Sequence, residues 1–186
     1  MTASATQDAG RVNLHATAIV AGGSGVLVFG RSGAGKSSLA LAVIERARLA
    51  GRFAALVSDD RVWLSAVAGR LVAEAPDAIA GLVEIRGCGP VPSPCEPRAV
   101  IDRVVRLVEA AEAPRVADEA ATEAILGLSL PRLDLAEGES AGGARALLAW
   151  LDRPGGRLPG GSAHKCGNLV PNRAFWGLSL ARSLTR

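Results

Sequence analysis

Residues 30–37 read Gly-Arg-Ser-Gly-Ala-Gly-Lys-Ser, a complete G-x-x-x-x-G-K-[ST] pattern whose chemistry is the holding of polyphosphate. Gly30, Arg31, Ser32, Gly33, Ala34 and Gly35 supply backbone N–H groups that can curl around phosphate oxygens. A helix following them adds the partial positive charge of its amino terminus. Lys36 is placed to reach the β- and γ-phosphates of a nucleoside triphosphate, and the hydroxyl of Ser37 to ligate Mg²⁺. A second cluster, Asp59-Asp60, closes the apolar run 53–57. Phosphate-loop enzymes set a carboxylate beside metal and γ-phosphate at the end of such a strand. Adjacent residues of an extended chain point to opposite sides, so one aspartate can face phosphate while the other faces metal or backbone. A polar turn between strands is the alternative reading of the pair.

A phosphate loop works only between a strand and a helix, and the flanking residues supply both. Gly25-Val26-Leu27-Val28-Phe29 is short, apolar and β-branched, and Leu39, Val43, Ile44 and Ala47 form a helical stripe that ends at the natural cap Gly51. Upstream, a strand over 12–20 carries His15 and turns at Gly22-Gly23 into the loop strand. Downstream the pattern predicts a strand over 53–57, a hairpin around Ala68-Gly69-Arg70 and a short helix at 78–82. Residues 90–97, with four prolines, read as an irregular loop. A strand over 100–108 follows, then one or two more around Pro131, and a helix marked by Ala144, Leu147, Leu148 and Leu151 that ends near Pro154. This is an α/β plan.

With 186 residues the chain can bury one substantial core. No run approaches the roughly 18 apolar residues of a membrane span. The first eight residues lack the basic patch and apolar core of a secretory signal. Cys88, Cys95 and Cys166 have no metal-ligand spacing, and an odd count fits reduced thiols in the cytoplasm. The net charge of +3 has a local source: six of the 21 Lys and Arg lie from Arg153 onward with no Asp or Glu among them. A basic tail on a mildly acidic domain does not suggest nucleic acid as the main partner. The expected division is therefore a catalytic domain over 1–152 and a Gly/Pro-rich tail over 153–186 whose composition favours weak order.

Leu14-His15-Ala16, the Gly30–Ser37 loop, Leu56-Val57-Ser58-Asp59-Asp60 and Gly81-Leu82-Val83-Glu84-Ile85-Arg86-Gly87, in this order, resemble HPr kinase/phosphorylase. The resemblance runs over residues 10–135 and is to the short forms that consist of the catalytic domain only. It implies a fold related to phosphoenolpyruvate carboxykinase, with a mixed, curved sheet around the P-loop helix. It implies ATP- and Mg²⁺-dependent phosphorylation of a serine on the small phosphocarrier HPr, removal of that phosphate onto inorganic phosphate in many members, and a hexamer. Carried over position by position, Lys36 and the loop hold the nucleotide, and Ser37 binds Mg²⁺ with Asp60 and Glu84 as further metal contacts. Asp59 takes the proton of the target serine, and His15 lies near the transferred phosphate, bonding Asp59 or a phosphate oxygen. Arg86 contacts phosphate or holds its own loop, with an ion pair to Glu84 as the alternative. Ser38 stands where the family has Glu, and Cys88-Gly89-Pro90 where it has bulky aliphatics. Two other readings are a P-loop kinase for a small molecule and a regulatory module that binds nucleotide without turnover. A closed acceptor pocket would mark the first; an open surface at the aspartates marks a protein substrate.

Overall fold

The computed structural model describes residues 10–153, so the tail with Phe175 and Trp176 lies outside the described residues. Its strands are β1 (Arg11–Leu14), β2 (Thr17–Ala21), β3 (Ser24–Phe29), β4 (Ala54–Ser58), β5 (Val62–Val67), β6 (Arg70–Glu74), β7 (Leu82–Ile85), β8 (Gly89–Pro92), β9 (Arg98–Val108), β10 (Thr122–Ile125) and β11 (Leu128–Ala136). The helices are α1 (Lys36–Leu49) and α2 (Ser140–Leu151), with a 3₁₀ turn at Asp77–Ile79. None is long and apolar enough to cross a membrane.

Nine strands form one mixed sheet in the order β1-β5-β6-β9-β3-β2-β4, with β11 and β10 joined to it through β9. The eleven-residue β9 makes this possible by changing partners along its length. It pairs antiparallel with β6 over its first four residues, then parallel with β11 from Val104 to Val108, while β3 runs parallel along its other edge. A strand that serves three neighbours curls the sheet, and each face gains its own core. On one face Val26, Val28, Leu56, Val105 and Leu107 pack under the two helices. On the other, Leu27, Val57, Leu64, Leu71, Ile101 and Val104 pack among themselves across the curl. The strict alternation of Val26, Leu27 and Val28 between the cores, all fully buried, is the two-residue period of a strand covered on both faces. Each such side chain contributes about 1.5–3 kcal/mol of burial.

Leu39, Ala40, Val43, Ile44 and Ala47 bury one stripe of α1 against the sheet. The helix closes as expected: Arg52 N–H returns to Ala47 O, and Gly51 takes a left-handed φ of 71°. Helix α2 lies beside α1 in the same direction. Gly143 meets Leu39 near the two amino ends, and Arg52 pairs with Asp152 at the other end. A Cβ on Gly143 would sit 3.0 Å from Leu39 Cδ1, so the helices approach closely at this position.

Three expectations change. The short helix at 78–82 is only a 3₁₀ turn at Asp77–Ile79, and Leu82 already opens β7. The strand over 12–20 is two strands broken at His15-Ala16, because β1 pairs with β5 whereas β2 pairs with β3 and β4. The irregular loop at 90–97 instead begins with β8, paired antiparallel with β7 in a separate two-stranded sheet. Pro90 and Pro92 fit there because the outer edge of a two-stranded ribbon needs no ladder donors.

Candidate active site

The phosphate loop leaves the end of β3 and enters α1 at Lys36, as the sequence predicts. Gly33 and Gly35 take φ of 79° and 98°, which side chains with a Cβ rarely adopt. Gly35 caps α1 without a side chain, and the first turn holds no acidic residue. No side chain of the helix itself therefore caps its amino-terminal N–H groups, an arrangement suited to phosphate. Lys36 is 6 % exposed and donates to Gly30 O at 3.1 Å and Arg31 O at 3.2 Å. Burial lowers its pKa from the ordinary 10.5, against the opposing pull of Asp60 and Asp59. A desolvated ammonium in the mouth of the loop is matched to an incoming polyphosphate.

Behind the loop, β4 delivers the two aspartates through a bulge. Ala18 of β2 faces Ser58, but its neighbour Ile19 faces Leu56, so Val57 is the extra residue. A bulge re-aims the side chains beyond it. Asp59 turns inward and is 4 % exposed. Its Oδ1 accepts from Thr17 Oγ1 and from Ser37 Oγ, each at 2.8 Å, and its Oδ2 accepts the backbone N–H of Glu84 at 3.1 Å. Asp60 turns outward in the left-handed region, φ 66°, with its side chain 63 % exposed. His15 Nε2 lies 3.0 Å from Asp60 Oδ1. Asp and Asn tolerate this backbone better than most residues, and such positions collect at functional sites.

The opposite flank of the loop is tied to the start of α2. Arg31 and Glu137 form a bidentate ion pair, and Gly138 N–H donates to Ala34 O at 3.1 Å. The guanidinium holds the Glu137 carboxyl below its usual range and is itself raised by it.

These positions redistribute the residues singled out from sequence. The adjacent aspartates do face opposite ways. Ser37, expected to share a metal with Asp60 and Glu84, instead bonds Asp59. His15 bonds Asp60 and not Asp59. Glu84 touches the site through its backbone N–H, with its side chain exposed. The exchange follows from the Val57 bulge, which places the first aspartate, not the second, over the loop. Arg31 joins the loop only by its backbone, since its side chain points to Glu137. Arg86 reaches toward the loop: a Cβ on Gly33 would lie 3.7 Å from Arg86 Nη2. Among the described residues no group of His, Cys, Asp and Glu is gathered as a metal cluster. The Ser37–Asp59 pair nonetheless fits a Mg²⁺ ion, because the hydroxyl hydrogen points to Asp59 and leaves an oxygen lone pair outward. Thr17 was not singled out. Its only sequence signal is a hydroxyl two residues after His15.

Residues 6–139 match the family model described as HPr Serine kinase C-terminal domain. The chain belongs to this family. Among HPr kinase/phosphorylases, that of Caldicellulosiruptor bescii is 43 % identical over 80 residues, which are 42 % of this chain and 24 % of that protein. The one from Clostridium tetani is 36 % identical over 81 residues, 44 % of this chain and 25 % of that protein. The chain thus matches about a quarter of the length of these relatives. The solved structure of the Hpr(Ser) kinase/phosphatase from Coxiella burnetii superposes with a TM-score of 0.63 at 24 % identity, covering 75 % of this chain and 88 % of that one. The α/β fold of the HPr kinase family, with a curled mixed sheet, is therefore the fold of this chain.

Proposed function

We propose that the chain is an ATP- and Mg²⁺-dependent kinase that phosphorylates a serine of an HPr-like phosphocarrier protein, and that it also runs the reverse phosphorolysis. The observation that carries this reading is the pair of aspartates at the phosphate loop, one bonded to Ser37 and the other, exposed, bonded to His15. A module that only binds nucleotide has no use for the second, outward-facing pair. The exposure of Asp60 and His15 favours a protein surface as acceptor over a small molecule in a closed pocket.

In this reading the loop N–H groups and Lys36 hold the phosphates, and Arg86 adds a positive charge at the Gly33 side. When bound at Ser37 and Asp59, Mg²⁺ supplies neutralisation of the β- and γ-phosphate oxygens. Asp60, in place of the Asp59 that the resemblance implies, accepts the proton of the serine hydroxyl, because it is the exposed carboxylate of the pair whereas Asp59 is buried and held by three donors. His15 orients Asp60 and keeps the serine side of the site polar. In reverse, Asp60 returns the proton. The hexamer and the cytoplasmic location implied by the resemblance belong to the same proposal.

Incubation with ATP, Mg²⁺ and an HPr-type carrier should yield phosphoserine on the carrier. Lys36→Ala should lose nucleotide binding by orders of magnitude. Asp60→Asn should leave ATP affinity within a few-fold while turnover falls about 10²- to 10⁴-fold, the range general-base catalysis spans. A larger turnover loss in Asp59→Asn with ATP affinity intact would return the base to Asp59.

A further inference from the structure

Asp59 and Asp60 are chemically identical neighbours, so their different work must be assigned from outside the pair. We propose that Thr17 is the positioning residue that makes this assignment, by fixing Asp59 as the partner of Ser37; the inference rests on the kinase reading above.

One short segment addresses both aspartates. His15 Nε2 meets Asp60 Oδ1 at 3.0 Å, and two residues on, Thr17 Oγ1 donates to Asp59 Oδ1 at 2.8 Å. Thr17 is fully buried, at 0 % exposure, so its hydroxyl has no water to turn to. Its neighbours on β2 are Ala18, Ile19 and Val20, and an apolar β-branched residue would suit the strand equally well. The hydroxyl is spent on the site carboxylate.

The geometry explains why that matters. Oδ1 of Asp59 takes two hydroxyl hydrogens, one from Thr17 and one from Ser37. Thr17 sits on a strand paired on both edges, opposite Val28 of β3 at its own position, and its branched Cβ restricts its rotamers. It is the rigid donor. Ser37 opens the first turn of α1 and is the donor that also meets the cation. With Thr17 in place, Oδ1 is held, and the Ser37 hydrogen has a fixed target that keeps the oxygen lone pair turned outward. Without it, the Glu84 N–H on Oδ2 is the sole remaining anchor from the sheet side, and the carboxylate can rotate about it.

The test compares Thr17→Val, nearly the same shape without the hydroxyl, with Thr17→Ser, which keeps it. ATP binding by the full chain is titrated calorimetrically over a series of Mg²⁺ concentrations and in chelator, with thermal unfolding of each variant alongside. Thr17→Val should weaken Mg²⁺-dependent ATP binding about tenfold or more, the span of a hydrogen bond to a charged group, while metal-free ATP binding changes less than about twofold. Thr17→Ser should restore the wild-type metal dependence. In double variants, Thr17→Val should add nothing to Asp59→Asn and should add fully to Asp60→Asn, since only the first pair is in contact. Equal loss with and without metal, or an unchanged Mg²⁺ dependence in Thr17→Val, would overturn the inference and leave the kinase reading standing. A wild-type chain that binds no ATP in Mg²⁺ would overturn both.

Discussion

The phosphate loop is gripped from two sides, by Asp59 behind it and by Glu137 beside it. Each grip is a carboxylate that takes its bonds in part from a loop residue, Ser37 in one case and Arg31 in the other. They differ in solvent. Asp59 is buried, and its three donors come from three different elements, β2, α1 and β7. The Arg31 side chain is 67 % exposed, and the pair with Glu137 is made by two side chains alone. A buried carboxylate is tolerable only if it is fully bonded, and removing it strands its donors. An exposed pair competes with water and salt, and its net worth is small however good its geometry. The back of the site is thus built to be rigid and the side to be adjustable.

The sharpest break in this comparison should come from Asp59→Ala, which leaves the Thr17 hydroxyl and the Glu84 N–H without an acceptor. A loss of about 2–4 kcal/mol of stability is expected from denaturant unfolding, together with loss of Mg²⁺-dependent ATP binding. A loss below about 1 kcal/mol would mean that the buried grip is no stronger than the exposed one. A smaller effect is expected from Arg31→Ala: an unfolding midpoint close to that of wild type, with any effect on ATP affinity fading as salt is raised. An effect that persists in high salt would show that the pair is shielded from solvent.

The smallest effect is in pH. Arg31 holds the Glu137 carboxyl below the ordinary 4.5, so the contribution of the pair is present above that value and is lost as pH falls through the lower folded one. The stability gap between wild type and Arg31→Ala should therefore close in acid. Lys36 carries the same sign into the alkaline window. Its burial lowers its pKa, so the folded state releases that proton first, and stability rises with pH in the alkaline window below 10.5. Unfolding midpoints of wild type, Arg31→Ala and Lys36→Met across pH separate the two. A gap for Arg31→Ala that widens in acid would mean that the pair is worth more with Glu137 protonated, the opposite of an ion pair.

What could be read from the chain alone was what neighbours in sequence decide. The loop, the stripe of α1, the cap at Gly51 and the Ala68-Gly69 hairpin are local patterns, and they stand as predicted; Asp59 and Asp60 do point apart, but from a bend with Asp60 left-handed and not from an extended strand. Which aspartate bonds Ser37 was not legible, because it depends on a bulge opposite Ala18 and Ile19, some forty residues upstream. Glu137 escaped notice for the same reason: its partner Arg31 is 106 residues away. Strand β8 was hidden by prolines that normally forbid a ladder, and it is a strand because, among the described residues, it pairs on one edge only, with β7. Glu84 was singled out by side-chain type, and the bond its backbone N–H makes to Asp59 could not be read from the sequence.

Strand β9 belongs to both cores at once, with Val104 turned to one and Val105 to the other. Neither core can melt while leaving the other its central strand, so heat should take the domain apart in one cooperative step. The same coupling makes the whole molecule a reporter. A ligand seated at the loop, where β3 ends beside β9, lends its binding energy to the remote β1–β5 edge as much as to α1. A shift in melting temperature then registers occupancy of the phosphate site without any probe placed near it.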